Sequence, residues 1–237
     1  MRDTFTYNNI VSSQFDAYTT SEGVFISPTR DYDLIEVPGR SGDLILENNR
    51  YNNVNITYPM IIMENFMTNY KSMTSTLNAI KGYNELNDTF FADRFRLAVF
   101  ERVESKKITQ HVDAGIFNVI FNCKPQWYLN SGKTTTSVAK NKTVSMTNPT
   151  NNKSRPIIAC TGTGTLTIGT QTFVLSTNTG TTIIDCELQD AYEGNINRNK
   201  NLVYTGDDEF GYLPTGTFNV KTSANLSVVI TPRWFEI

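Results

Sequence analysis

The amino-acid sequence predicts a mainly β protein of two domains, and three observations support this fold class. Apolar residues alternate with polar ones between Val54 and Ile62, which is typical of a strand with one buried face. A single segment, from about Glu64 to Lys81, carries a helical stripe of apolar residues. After residue 130, short strands separated by glycines, with no helical stripe, indicate an all-β sandwich.

A hairpin opens the regular part of the first domain, which is expected to span residues 1–130. Its strands are predicted at 33–37 and 44–46, because the intervening Pro38-Gly39-Arg40-Ser41-Gly42 holds a proline and two glycines in five residues. The alternating strand that follows contains Pro59, which has no N–H to donate. This strand is therefore expected at a sheet edge or at a bulge.

The predicted helix spans about residues 64–81, and Gly82 supplies its stop. Its stripe is expected to pack across an open sheet face and consists of Phe66, Tyr70, Met73, Leu77 and Ile80. Two further strands are predicted at 90–104 and 115–123. Apolar residues at both alternating positions of the second strand predict that it is buried on both faces.

The composition changes after Pro125, and a domain boundary is expected near 128–133. The segment 130–154 is rich in Thr, Ser, Asn and Lys and has few large apolar residues. The second domain, residues 131–237, is predicted to contain strands at 155–160, 165–168, 172–175, 181–186, 219–220 and 226–231. Close strands separated by turn residues favour a sandwich.

Length, composition and charge limit the possible classes of protein. With 237 residues, 39% of them hydrophobic, the chain can bury one large core or two ordinary ones. A formal net charge of −2 provides no field to gather phosphate backbones, which disfavours nucleic-acid binding. Residues 1–5 do not resemble a signal peptide, and no apolar run is long enough to cross a membrane. We therefore expect folding in a cytoplasm and no membrane insertion.

No catalytic or metal-binding constellation stands out. His111 is the only histidine, which excludes a multi-histidine metal site, and it is expected to be a solvated hairpin residue. No G-x-S-x-G nucleophile motif occurs, although two carboxylates on different strands can still converge in space. Cys123, Cys160 and Cys186 are expected to be small buried residues, with a Cys160–Cys186 bridge as the alternative. The sequence predicts no catalytic residue, no metal and no cofactor.

Three further features allow a structural and a functional interpretation. Thr161-Gly162-Thr163-Gly164 resembles a phosphate-binding loop, but a strand follows where a P-loop needs Lys and a helix, so a tight turn is expected. Asp207-Asp208-Glu209 is interpreted as a solvated loop, with a calcium site as the alternative. Four aromatic residues are expected in a core or an interface, with a sugar-stacking platform as the alternative. They are Trp127, Tyr128, Trp234 and Phe235.

Four sequence blocks form an ordered set over nearly the whole chain. They are Val37-Pro38-Gly39-Arg40-Ser41-Gly42-Asp43-Leu44; the segment from Phe117 to Tyr128; Asn148-Pro149 with Ser154-Arg155-Pro156-Ile157-Ile158 and the Gly162–Gly164 turn; and Ile183-Ile184-Asp185-Cys186 with Phe210, Leu213-Pro214, Gly216 and Ile230-Thr231-Pro232-Arg233-Trp234. Together they resemble the distal tail proteins of long, non-contractile-tailed bacteriophages, the hub of the siphophage baseplate.

This resemblance implies a structural virion protein and not an enzyme. Members of the family form homohexameric rings through the N-terminal domain. The ring connects the tail tube protein to the tail-tip protein and, in many phages, to receptor-binding proteins, and DNA only passes through its central channel. The C-terminal domain is implied to be a galectin-like β-sandwich. The implied location is the distal end of the phage tail, after assembly in the host cytoplasm.

The resemblance also directs attention to one loop. Its residues are expected at a ring or tube contact and are Pro38, Gly39, Arg40, Ser41, Gly42 and Asp43. The alternative function is a carbohydrate-binding module for host cell-wall attachment, which a β-sandwich with aromatic residues would suit. A wall-degrading enzyme is a third hypothesis. The predicted sandwich contains no histidine, so the sugar-binding histidine of galectins is missing.

Overall fold

The computed structural model of the protein describes residues 3–20, 26–109, 113–176, 180–207 and 209–237, with the backbone alone at 105–109. The mainly β class predicted from the sequence is confirmed. The chain divides into two compact units, Met1–Trp127 with Ile237, and Tyr128–Glu236. Each unit has its own hydrophobic core. Across the described ranges, no helix is both long and apolar enough to span a membrane.

The first unit combines one large antiparallel sheet, a separate hairpin and a helix. Its strands are β1 Phe5–Tyr7, β2 Ile10–Val11, β3 Ala17–Thr19, β4 Arg30–Ile35, β5 Leu44–Tyr51, β6 Val54–Ile62, β7 Asn84–Asp88, β8 Arg94–Thr109 and β9 Ala114–Cys123. Helix α1 spans Phe66–Ala79, and a 3₁₀ turn covers Ser12–Phe15. The large sheet has the order β2-β1-β7-β8-β9-β6-β3, whereas β4 and β5 pair with each other.

Strand β6 forms where the alternation predicts it, and its inward residues are at most 5% exposed. It pairs along its whole length with β9. Its other neighbour, β3, is three residues long and pairs only with residues 60–62. Pro59 lies where this pairing ends, and its carbonyl accepts the N–H of Thr20 at 2.8 Å. This local edge explains how the strand accommodates a residue without an N–H.

Helix α1 packs its apolar stripe onto the inner face of the large sheet. Phe66, Met73 and Leu77 are at most 1% exposed and belong to the core of the first unit. Phe66 lies over Gly115 of β9, where an added Cβ would be 2.4 Å from its ring. The close approach of helix and sheet therefore requires a residue without a side chain at this position.

The helix is shorter at both ends than the predicted 64–81, because the backbone conformations of the flanking residues set its limits, and not the apolar stripe. Asn65 precedes it in the left-handed region, with φ 53°, and the N–H of Phe66 donates to the carbonyl of Asp113 at 3.0 Å. At the other end Ile80 is already extended, with φ −80° and ψ 128°. The helix thus ends before Gly82.

Strand β9 is paired on both sides but covered on only one face along its whole length. Its inward residues have no exposed surface and are Phe117, Val119, Phe121 and Cys123. On the outer face Ile120 is 5% exposed, whereas Ile116 is 38% exposed. The prediction of burial on both faces is wrong at Ile116, because no described residue covers the outer face there.

The second unit is a sandwich of two antiparallel sheets. After β10 (Trp127–Leu129), its strands are β11 Thr136–Val138, β12 Thr143–Asn148, β13 Ile157–Gly162, β14 Gly164–Ile168, β15 Gln171–Leu175, β16 Thr181–Asp185, β17 Asp190–Glu193, β18 Ile196–Asn197, β19 Leu202–Thr205, β20 Gly216–Thr222 and β21 Leu226–Thr231. A last short strand, β22 Phe235–Glu236, pairs with β10 and belongs to neither sheet of the sandwich. One sheet has the order β11-β21-β13-β16-β17-β18, and the other has the order β12-β20-β14-β15-β19. Residues of both sheets, among them Ile158 and Phe173, share one core.

Strands β11 and β12 lie within the polar segment 130–154, where the composition predicts no strand. In β12 the outward positions are Thr143, Ser145 and Thr147, and Met146 is 7% exposed. A short strand with small polar residues on its outer face has a weak alternation signal. Its pairing with β20 fixes it in the sheet.

The segment Thr161–Gly164 forms the predicted turn and passes the chain from one sheet to the other. Gly162 and Gly164 have φ of 94° and 136°. An added Cβ would lie 2.0 Å from the carbonyl oxygen of Asn225 in the first case and 2.0 Å from Oγ of Ser223 in the second. Close backbone packing therefore explains the two glycines without a bound phosphate.

An ion pair ties the end of β16 to the C-terminal segment of the second unit. Two guanidinium nitrogens of Arg233 donate to the two carboxylate oxygens of Asp185, both at 2.9 Å. Burial by itself raises the pKa of Asp185. The hydrogen bonds and charge of Arg233, together with the N–H groups of Leu188 and Glu187, outweigh it and hold that pKa below its ordinary value.

We expect Asp185→Asn to lower the free energy of unfolding at neutral pH by about 1–3 kcal/mol, since it leaves a partly buried guanidinium without its charged partner. A carboxyl group whose pKa is lowered by folding stabilises the folded state at pH values above its unfolded pKa of about 3.9. This contribution is lost as the pH falls through the folded pKa. Thermal unfolding followed by circular dichroism from neutral to acidic pH should therefore show less acid destabilisation in the variant than in the wild type.

Glu187→Gln is the matched control for this experiment. Its carboxylate lies 3.5 Å from the same guanidinium, but its side chain is 34% exposed, so water replaces most of the interaction. Equal losses of stability in the two variants would contradict the role assigned to Asp185.

Gly115→Ala is expected to lower the free energy of unfolding by about 1–3 kcal/mol, since the added methyl group displaces the ring of Phe66 and the start of α1. Chemical denaturation measures the loss. In the double variant Gly115→Ala/Phe66→Leu the clash is relieved, so its cost should be smaller than the sum of the two single costs. Strict additivity would show that the two residues do not compete for the same space.

Candidate functional site

The hairpin of β4 and β5, residues 30–51, is the most exposed regular element of the first unit, and we call it the hairpin arm. In its outer half Tyr32 pairs with Glu47, and Ile35 pairs with Leu44. Within the described residues the two strands pair only with each other. The outer edge of each strand therefore presents backbone N–H and C=O groups that can accept another strand.

Apolar side chains occupy both faces of the arm. Residues opposed across an antiparallel pair share a face. The first face carries Tyr32, Leu34 and Ile45, and the second face carries Ile35, Leu44 and Leu46. Their exposed fractions range from 43% at Ile35 to 60% at Ile45. A sheet with one face in water alternates apolar and polar residues, so neither face of this arm has the pattern of a solvated surface.

The loop at the tip of the arm contains all six residues predicted at an interface: Pro38, Gly39, Arg40, Ser41, Gly42 and Asp43. The N–H of Arg40 donates to the carbonyl of Val37 at 3.1 Å, and Gly39 has φ 78°. This is a type II turn with proline and glycine at its two central positions. All six residues are exposed, so the turn presents a defined backbone whose side chains face solvent.

Charged pairs mark the base of the arm. Arg50 binds Asp31, and Arg30 lies 3.8 Å from Glu47 and over the ring of Tyr51 at 5.7 Å. These side chains line an open cavity of about 180 Å³. Exposed pairs of this kind contribute little to stability. The arm is therefore polar at its base and apolar along its outer half.

The acidic cluster of the second unit is used by neighbouring protein groups. The carboxylate of Glu209 lies 3.3 Å from the guanidinium of Arg155. The hydroxyl of Tyr212 donates to Asp207, which together with burial raises the pKa of Tyr212 to about 12. Asp208 lies outside the described residues. The two described carboxylates of this cluster are therefore already bound to side chains of the protein.

No group of three metal-ligating side chains occurs in the part of the chain that the structure describes, and His111 lies outside that part. Cys123, Cys160 and Cys186 are at most 1% exposed and form no disulfide, so the Cys160–Cys186 bridge is not present. Burial raises the pKa of each thiol to about 12. Few thiolates therefore exist at neutral pH to act as nucleophiles.

The aromatic residues considered for sugar stacking contact other groups of the protein: Tyr128 and Trp234 are buried, whereas Trp127 and Phe235 are half-buried. Trp234 is 5% exposed and belongs to the core of the second unit. Tyr128 and Phe235 pack on each other with ring centroids 6.1 Å apart. The guanidinium of Arg96 lies 4.1 Å from the ring centroid of Trp127 and covers one face of that ring.

The apolar strands of the arm are the part of this site that sequence patterns do not identify. The loop is marked by its glycines, whereas the strands are marked only by Leu44-Ile45-Leu46, three consecutive apolar residues. Consecutive strand residues point to opposite faces, so this run indicates two apolar faces. A short apolar run is equally typical of a strand buried in a core, which is why the pattern alone does not predict exposure.

Solved structures match this chain, although no protein-family model and no curated protein matches its sequence. The Dit protein of phage SPP1, described as a paradigm of the hub adsorption apparatus in phages that infect Gram-positive bacteria, superposes with a TM-score of 0.67 at 14% identity, over 100% of both chains. A chain of the phage P2 baseplate, in its activated conformation with Ca, superposes with a TM-score of 0.50 at 10% identity, over 97% of this chain and 98% of that chain. This chain therefore has the fold of a phage distal tail hub protein.

Proposed function

We propose that this protein is a structural hub of a phage tail, without catalytic activity, that assembles with copies of itself through the hairpin arm. Six copies form a ring through the first unit. The ring connects the tail tube protein to the tail-tip protein and to receptor-binding proteins, and DNA only passes through its channel. The protein is thus located at the distal end of the virion tail, after assembly in the host cytoplasm.

The exposed arm is the observation that carries this proposal. Monomeric proteins rarely leave a contiguous apolar surface of this kind in water, and such surfaces mark sites of protein association. A two-stranded hairpin is also marginally stable by itself. The six apolar side chains on its faces are each at least 43% exposed. A partner that covers them stabilises the arm and gains apolar burial at the same time.

The rest of the chain suits a hub better than a carbohydrate-binding module. A net charge of −2 does not hold DNA electrostatically. The second unit, residues 128–236, is proposed to be the galectin-like sandwich that projects from the ring, but it offers no stacking tryptophan at its surface because Trp234 is buried. Rigid antiparallel sheets and an exposed hairpin supply what a connector needs, namely a fixed scaffold and surfaces for neighbouring subunits.

The double variant Leu34→Ser/Ile45→Ser is expected to shift the native mass of the protein from six copies toward one. Each substitution removes apolar burial that contributes about 1.5–3 kcal/mol per side chain at an interface. Light scattering after size exclusion measures the mass. Val203→Ser is the matched control, because Val203 is 58% exposed on the second unit, and its native mass should equal that of the wild type.

A wild-type protein that is monomeric at micromolar concentration, with no rings in negative-stain images, would contradict the proposed assembly. A wild-type ring that persists unchanged in the double variant would contradict the assignment of the arm as its contact.

Arg40→Glu tests the tip of the arm. We expect it to impair ring or tube assembly, since it reverses a charge at the proposed contact, and to leave the melting temperature of the monomer nearly unchanged, since Arg40 is exposed. Native mass and thermal unfolding measure the two effects. Lys140→Glu, an exposed reversal on the second unit, is the control, and a normal ring in Arg40→Glu would remove the tip from the interface.

A further inference from the structure

Strand β8 carries a buried arginine, a residue type that is almost never fully buried unless it is paired. Arg96 is 2% exposed. Its two terminal guanidinium nitrogens donate to the backbone carbonyls of Lys124, Pro125 and Ile26, at 3.3–3.4 Å. These distances exceed the usual range of about 2.7–3.2 Å for such bonds, so the three carbonyls hold the guanidinium only loosely.

The third nitrogen of this guanidinium, Nε, is buried and has no hydrogen-bond partner among the described residues. The ring of Trp127 lies over the guanidinium, with its centroid 4.1 Å away, and closes that side of it. Burial lowers the pKa of Arg96, and nearby acidic groups offset this only in part. A buried N–H donor without a partner is rare in folded proteins, so Nε calls for an acceptor that the side chains of the chain do not supply.

A narrow cavity lies against Arg96 and has a volume of about 10 Å³. This volume is at the lower limit of the roughly 10–15 Å³ that one water molecule needs, and it is too small for a larger ligand. The wall of the cavity is polar on one part and apolar on the other. It includes the polar residues Tyr58, Asp88 and Arg96 and the apolar residues Ile56, Leu86 and Trp127.

Asp88, at the end of β7, offers an acceptor to this cavity. Its Oδ2 accepts the hydroxyl of Tyr58 at 2.8 Å, and its Oδ1 accepts the N–H groups of Phe90 and Phe91, both at 3.0 Å. An ionised carboxylate has about four acceptor positions, and these bonds fill three of them. The fourth position, on Oδ2, remains for another donor. The hydroxyl oxygen of Tyr58 can accept a hydrogen bond as well.

We propose that this cavity binds one water molecule, which accepts the N–H of Nε of Arg96 and donates to Asp88 and to the hydroxyl oxygen of Tyr58. Three hydrogen bonds are the usual number for a buried water. This water would join β8 to β6 and β7, although β8 and β9 separate β7 from β6 in the sheet order. The site belongs to the first unit alone and does not depend on the proposed assembly.

A halide ion is the competing occupant, because a guanidinium attracts anions. The carboxylate of Asp88 lines the same cavity and repels an anion. A water molecule can accept from Arg96 and donate to Asp88 at the same time, whereas a halide ion has no proton to donate. The pairing of a buried donor with a buried acceptor across one cavity therefore favours water.

A high-resolution crystal structure of the whole chain tests the proposal directly. We expect one electron-density peak in the cavity, within hydrogen-bond distance of Nε of Arg96 and of a carboxylate oxygen of Asp88. Crystals grown in sodium bromide should show no anomalous signal at this peak. A bromide signal there would identify an anion site and overturn the proposal, as would a cavity with no peak or a protein group bonded directly to Nε.

Oxygen-17 relaxation dispersion tests the same site in solution, because it counts the water molecules that stay inside a protein for longer than its tumbling time. Arg96→Met removes the donor with an unbranched side chain and should lose one such water relative to the wild type. Arg94→Met is the matched control on the same strand, since Arg94 pairs with Asp93 at 3.0 Å and does not line the cavity, and it should lose none.

Equal water counts in the wild type and in a folded Arg96→Met variant would overturn the proposal, and so would an equal loss in the two variants. Circular dichroism establishes that each variant is folded. If Arg96→Met does not fold, the density in the wild-type crystal decides between the outcomes.

Discussion

The two-sided pairing of strand β9 is the constraint on which the first unit depends. The strand pairs with β6 on one side and β8 on the other, so its register fixes that of both neighbours. Phe121 then meets the rings of Tyr7 and Phe5 at 5.0 and 5.3 Å between centroids, and Gly115 leaves room for Phe66 of the helix. Because successive residues alternate between faces, packing the inner face also decides that Ile116 points outward.

The hairpin arm differs from the large sheet, because its apolar side chains do not pack into a core among the described residues. In the large sheet every inward residue of β6 packs against a second layer, whereas Leu34 and Ile45 of the arm have no such layer among the residues that the structure describes. The type II turn at Pro38 and Gly39 gives the arm a defined end without requiring packing. An element that is well formed locally but uncovered on both faces is suited to completing its burial between molecules.

The second unit is held by a different set of contacts. Gly162 and Gly164 allow the chain to pass between the two sheets at close range, and the carboxylate of Asp185 anchors the C-terminal segment through Arg233. Gln171, which has no exposed surface, makes two hydrogen bonds to the backbone of Tyr212, at 2.8 and 2.9 Å. These contacts stabilise the sandwich. They account for several polar residues that the sequence places among short strands.

The sequence by itself determined the features that depend on residues a few positions apart: the alternation of β6, the stripe of α1 and the turn at Pro38 and Gly39. The ordered blocks also identified the fold. Only the tertiary structure decided which surfaces are covered. It exposed Ile116 on a strand expected to be buried on both faces, buried Trp234, and left both faces of the arm open. Burial depends on which distant element lies against a residue, and a local pattern contains no information about that element.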